Sequence, residues 1–260
     1  MSLNIGDALS TGAEKLTTAA GIQLAVIYIV LQLLTVLGSN SAIVGLDTTT
    51  GSTGMAPTLS LPIGVAGGAA LAFLGGVLNV ALTIVVLRAM TNDAATLGSI
   101  PAGVADGMLK TWVFLVIALI VQGIAVFLGF VALIIPGIFL LVSLIFTQVF
   151  VAVEGEGPFE ALSSSWSLAK GNRFPLFGLG VVLFVISLLV TIPATVLTFV
   201  VPTAGTLLNY VASGFVSIFS LAVLVDAYQQ LDAEESMTAE TETDDDGVER
   251  LDDDSGFDYA

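Results

Sequence analysis

The sequence predicts an all-α membrane protein with six transmembrane helices, short cytoplasmic interfacial helices and both termini cytoplasmic. Three observations lead there. Of 260 residues, 56% are hydrophobic and 11% charged, where a soluble domain carries about 25% charged residues. Apolar runs long enough to cross a bilayer recur, and no charged residue occurs between Thr111 and Val153. Finally, Lys15, Arg88, Lys110, Lys170 and Arg173 all fall on one side of a six-span arrangement, and the opposite connections hold no Lys or Arg. Such an excess of bases marks the cytoplasmic side.

Residues 3–18 read as an interfacial helix, with Ile5, Leu9, Ala13 and Leu16 on a face opposite Asp7 and Glu14. The first span is expected over 21–37, and the Gly/Ser/Thr-rich run 38–61 reads as a polar loop. The second span, 62–87, closes at Arg88. It carries Gly64, Gly68, Ala72 and Gly76, a small residue at every fourth position, and such a stripe lets a neighbouring backbone come close. The alternative is that membrane helices are simply rich in Gly and Ala. In the next connection Ile100, Val104, Met108 and Trp112 recur every fourth residue, and Pro101 can open a surface helix there.

The 43 residues from Thr111 to Val153 exceed the roughly 20 that one span needs. A turn is therefore expected within Gly129–Gly137, giving spans at 111–130 and 136–153. The fifth span, 174–200, contains Pro193, which removes a backbone donor and should kink it. Val201–Gly205 reads as a tight turn before the sixth span, 205–228. Each pair of spans preceded by a surface helix would form one of three repeating units. The membrane body is thus residues 1–230, and 231–260 reads as an acidic disordered cytoplasmic tail.

The chain has no Cys and no His. Disulfides, thiolate chemistry, histidine acid–base catalysis and the usual zinc and haem sites are excluded. No cofactor is expected, and no enzymatic activity. The N-terminus lacks a basic start followed by an apolar core, so no cleaved signal peptide is expected. The net charge is −16: residues 232–260 contribute −12, Asp226 −1 and residues 1–225 only −3. A polyanionic tail makes nucleic acid a poor partner. The same acidity fits high intracellular salt, where the Debye length falls to about 3 Å and self-repulsion costs little. An ordinary acidic tail is the other reading.

The most informative stretch is Pro136–Gly180. An apolar run ends at Val153, followed by Glu154, Glu156, Pro158, a short amphipathic segment, Gly171 and Arg173. Pro158 suits a first helical turn and Gly171 the position past a helix end. Phe159, Leu162 and Trp166 share one face, so the helix is expected to lie on the membrane with them dipped in. Ile135-Pro136-Gly137, Glu154-Gly155-Glu156-Gly157, Ser165-Trp166, Lys170-Gly171-Asn172-Arg173 and Leu176-Phe177-Gly178-Leu179 together carry a resemblance. The stretch resembles uncharacterised polytopic membrane proteins of halophilic archaea. These are similar to the membrane domain fused to some glycerophosphodiester phosphodiesterases and to a bacterial inner-membrane family of unknown function. The resemblance implies no catalytic residue, because the phosphodiesterase domain itself is missing, and it supplies no function.

Lys170, Arg173 and Trp166 are candidate lipid-headgroup contacts; the alternative is that the two bases only set orientation. Glu154, Glu156 and Glu160 are read either as an oxygen-ligand cation site or as solvated charges around a helix start. Asp226 is expected to pair with Lys170 or Arg173. Gln32, Asn79, Gln122, Gln148 and Asn209 read as interhelical hydrogen-bond partners or as a polar path. The function expected is a non-enzymatic protein of the cytoplasmic membrane, structural, lipid-interacting or partner-scaffolding. Its partners would be membrane lipids and a membrane protein or a second copy of the chain. The alternative is a channel or transporter for a small solute.

Overall fold

The computed structural model describes residues 3–50, 59–101 and 103–252. Among them every regular element is helical. Helix α1 (Ile5–Thr17) is capped by Asn4, whose Oδ1 accepts from the Asp7 N–H at 3.2 Å. Helices α2 (Ala19–Thr50) and α3 (Gly64–Met90) form a first hairpin. A short 3-10 turn, Ala94–Thr96, leads to α4 (Met108–Ala132), which reverses at the extended residue Leu133 into α5 (Ile134–Ser143). After a break at Leu144–Phe146, one α turn (Thr147–Val149) and a π-helical segment (Phe150–Glu154) finish that passage. Then follow α6 (Pro158–Ala169), α7 (Arg173–Val200) and α8 (Pro202–Asp252).

Six helical passages are long and apolar enough to cross a membrane: Ala19–Asp47, Gly64–Met90, Met108–Ala132, Ile134–Glu154, Arg173–Val200 and Pro202–Met237. Their number matches the sequence reading; several boundaries do not. The run 38–50, read as loop, continues α2. Its small residues meet the first hairpin's other helix instead of water. A Cβ on Gly38 would fall 2.8 Å from Ala72 Cα, and one on Gly45 would fall 2.6 Å from the Val65 N. Ser39 and Ser41 return their hydroxyls to the carbonyls of Thr35 and Leu37. Of the every-fourth-residue stripe, Gly64, Gly68 and Ala72 lie against α2, Gly64 with a positive φ at the helix start, and only Gly76 departs, facing open space. Gly75 takes its place against Thr35, because a seam between two helices drifts by threes and fours rather than strictly by fours.

Among the described residues no helix opens at Pro101, and Gly103–Gly107 make turns until α4 starts. The hairpin turn at Leu133 lies within the expected window, and Gly137 packs against the Phe130 ring. Pro193 sits inside a continuous α7. The turn before α8 is shorter than expected, with Gly205 pressed against the backbone of Leu197 and Thr198. The expected disordered tail is helical through Asp252, as a continuation of α8; its last residues, 253–260, lie outside the described residues. Extending an existing helix avoids the cost of nucleating one.

The buried core sits at one end of the bundle. It joins the final turns of the second passage of each hairpin: Ile84, Leu87 and Met90 of α3, Phe146, Val149 and Ala152 of the fourth passage, and Ile218, Val223 and Ala227 of α8. Toward the other end large apolar side chains are exposed, among them Phe73, Ile124, Phe127, Leu189 and Phe199. Each closed end is covered by the segment that opens the next unit, in cyclic order. The loop carbonyls of Val104 and Asp106 accept from Arg88 of α3, at 3.0 and 2.7 Å. Helix α6 packs on the fourth passage, and α1 packs on α8, where Gly12 lies against Val223. The buried face of α1 is therefore Ala8, Gly12 and Lys15, while Ala13, assigned above to its apolar face, is exposed.

Candidate functional site

The break at Leu144–Phe146 strips backbone groups of their helical partners, and such groups need others when buried. Side chains from three elements supply them. The Phe146 N–H donates to Ser165 Oγ at 3.1 Å, and that hydroxyl donates onward to the Ser143 carbonyl at 3.1 Å. Gln122 Nε2 of α4 and Thr147 Oγ1 both donate to the Leu144 carbonyl, at 2.9 and 2.8 Å. Ser143, Thr147 and Ser165 are buried. Helix α6 is thereby fixed to the fourth passage through Ser165 and its small neighbours Ala161 and Ala169. The face of α6 that packs on the protein is Ala161, Ser165 and Leu168, while Phe159 is exposed.

Arg173 opens α7 beside this junction. Its Nε donates to Ser143 Oγ at 3.0 Å. Its guanidinium lies over two rings, 4.5 Å from the Phe139 centroid and 4.8 Å from that of Trp166. Those rings meet edge to face at 5.4 Å, so Arg173 is clamped by cation–π contacts on both. Its Nη2 is buried without a hydrogen-bond partner. Next to it a groove of about 470 Å³ runs between α5 and the start of α7, lined by Ile135, Ile138, Phe139, Val142, Phe174 and Phe177 with Arg173 as its one charged residue.

The three candidate headgroup residues thus separate. Arg173 lines the groove, and Trp166 stacks on Arg173 and Phe139 without lining it. Lys170 lines a different cleft with Glu234 and Glu235, which weaken its pull on an anion. The carboxylates Glu154, Glu156 and Glu160 accept from different donors: Tyr228 Oη at 3.0 Å, Ser164 Oγ at 3.0 Å and the Gly157 N–H at 3.4 Å. Burial, with Glu160 and Glu154 adding to it, pushes the Glu156 carboxyl above its ordinary pKa, against the Ser164 hydrogen bond. Among the described residues no group of three or more such side chains is placed to hold a metal.

Asp226 pairs with neither Lys170 nor Arg173. It accepts from Gln230 Nε2 at 2.7 Å and acts electrostatically on Lys15. Lys15 is buried and donates to the Met90 carbonyl at 2.6 Å; burial holds its pKa below the ordinary lysine value despite Asp226 and Asp93. Of the amides within the spans, Asn209 bonds Thr195 across the α7–α8 hairpin at 3.0 Å. Gln148 lines a second cavity, of about 490 Å³, with Tyr28, Thr83, Ser187, Ser217 and Ser220. Sequence reasoning missed Ser143 and Phe139, and it named Ser165 only within the Ser165-Trp166 pair of the motif that carries the resemblance, without a role.

Six helical passages of this length and apolarity define a multi-pass helical membrane protein. Within that class the chain belongs to the family described as a domain of unknown function, DUF7847, which matches residues 3–231. No curated protein and no solved structure matches the chain, so neither carries the likeness to halophilic archaeal or phosphodiesterase-linked membrane proteins.

Proposed function

We propose that this chain is a non-enzymatic protein of the cytoplasmic membrane that holds lipids and serves as a structural or scaffolding component. Both termini are cytoplasmic in this reading, with α1 and α6 at the inner interface. The observation that carries it is the core shared at one end: the hairpins meet at the end that holds Lys15, Arg88, Lys110, Lys170 and Arg173, the five bases of residues 1–230, and elsewhere present large apolar side chains outward. A surface of that kind is solvated by lipid chains, and the clustered bases match the positive-inside pattern. The acidic balance and the resemblance noted above support a halophilic setting. Mass spectrometry of the gently solubilised protein tests the reading. It should retain stoichiometric lipid or a subunit; bare monomer would overturn it.

The second reading, a channel or transporter for a small neutral solute, is favoured by the cavity around Gln148. Its hydroxyls at Thr83, Ser217 and Ser220 donate to carbonyls of their own helices, leaving oxygen lone pairs toward a ligand. Solute flux in liposomes loaded with the purified protein distinguishes it.

A further inference from the structure

Arg173 is held in a way that leaves part of its charge unused. Its Nε is committed to Ser143, its faces to Phe139 and Trp166, and its Nη2 to nothing. Buried donors on a charged group call for an acceptor, and a guanidinium is best met by a phosphate or carboxylate oxygen. The adjoining groove has no other charge. Its far wall, Ile135, is exposed and continues into the exposed surface of Leu133 and Ile134. The cation therefore stands at the head of an apolar slot that opens toward the lipid-facing side.

We infer that this groove binds one anionic phospholipid, its phosphate on Arg173 and one acyl chain along Ile138, Phe139 and Phe177. The inference rests on the proposal that the chain is a lipid-holding membrane protein, and it names the lipid class and the site. Lipid rather than free phosphate fits because one charged residue meets six apolar ones along the slot. A chain moving from bilayer into the slot leaves one apolar medium for another, so selection falls on the headgroup. Ser143 and Ser165 act as positioning residues, fixing the break against which the guanidinium is set. Lys, a point charge without the planar fork, replaces Arg poorly at such a site.

The test is native mass spectrometry of the full chain released from vesicles of equal phosphatidylglycerol and phosphatidylcholine. The wild type should keep phosphatidylglycerol preferentially. Arg173→Gln should lower that preference about tenfold, the loss of one or two charge-assisted hydrogen bonds, and Arg173→Lys by less. Because Arg173→Gln also loses its Ser143 bond, Ile138→Trp serves as a second variant: it fills the slot, keeps the charge and should also reduce retention. Lys170→Gln should change nothing. Unchanged preference in both Arg173→Gln and Ile138→Trp would overturn the site while leaving lipid holding intact. Displacement of the lipid by millimolar inorganic phosphate would overturn it in favour of a free-anion site. A wild-type protein that keeps no lipid would remove both this inference and the proposed function.

Discussion

The seam between α2 and α3 yields the sharpest prediction, because two neighbouring glycines should respond with opposite signs. At Gly68 a Cβ would lie 2.7 Å from the Gly38 carbonyl oxygen and 2.8 Å from Ala42 Cα, with the Ala42 amide nitrogen closer still. All three are backbone atoms and no rotamer relieves them. An unstrained contact needs about 3.5 Å, so the helices must part by most of an ångström. The same displacement opens the contacts of Gly38, Gly45 and Gly75 with the facing helix. Overpacking of this kind costs about 1–3 kcal/mol, and lipid cannot fill a gap between two touching backbones. Gly76 has nothing within 4 Å of its Cβ position. There Gly→Ala removes only the conformational cost of glycine in a helix and should stabilise by about 0.5–1 kcal/mol. Unfolding of the micelle-embedded protein by a graded denaturing detergent, followed by circular dichroism, measures both. Gly75→Ala should behave as Gly68→Ala does. Equal effects at Gly68 and Gly76, of either sign, would refute the seam.

Three further outcomes follow from the same structure. With the bases at the closed end, Thr49→Cys should label with an impermeant thiol reagent in intact cells and Ser236→Cys should not; the reverse pattern would sink the six-span orientation. Glu156 has its pKa raised in the fold, so its contribution is intact below the unfolded carboxyl pKa and is lost as pH rises through the folded value. Glu156→Gln should therefore stabilise at pH 7, with the gain vanishing in acid, and a gain independent of pH would contradict the assignment. Asp226 is the one carboxylate within the six spans as read from the sequence. In the described helical passages Asp47, Glu154, Asp232, Glu234 and Glu235 fall in the end turns, and Asp226 is bonded to Gln230. Proteoliposomes given a proton or sodium gradient should accumulate no solute, and gradient-driven uptake abolished by Asp226→Asn would make that residue a coupling site.

What the sequence disclosed and what it hid divide along one physical line. Span number, the hairpin turn at Leu133 and the bounds of α6 at Pro158 and Gly171 were legible, because hydropathy, proline and glycine act locally. The helix over 38–50 was not. Gly, Ser and Thr favour loops in water, yet Gly38, Ala42 and Gly45 form a backbone-to-backbone seam, and only the partner helix distinguishes the two uses. Arg173 and Trp166 were singled out as headgroup contacts from their place at an interface. Their joint placement depends on Ser143 and Ser165, and that depends on a break in the fourth passage. No Gly or Pro lies between Leu144 and Phe146 to announce it. Ser165 satisfies the break from 19 and 22 residues away in sequence, distances over which pattern reading carries no signal.

The five bases look alike to an orientation rule, and the folded protein treats them differently. Lys15 is buried against the Met90 carbonyl. Arg88 gives its Nε to the carbonyl of Ala152 at 2.6 Å, within the π-helical segment, and the rest of its fork to Val104, Asp106 and Thr111. It thus ties the first unit to the second. Lys110 lies over the Phe114 ring at 5.2 Å, and Lys170 shares its cleft with two glutamates. Orientation is decided while the chain inserts, before these contacts exist, and there every base counts the same. After folding, two of the five are committed to carbonyls of the closed end. A lipid headgroup then meets a set of cations much smaller than the topology suggests, and within it Arg173 alone joins a buried, unpaired donor to an apolar groove.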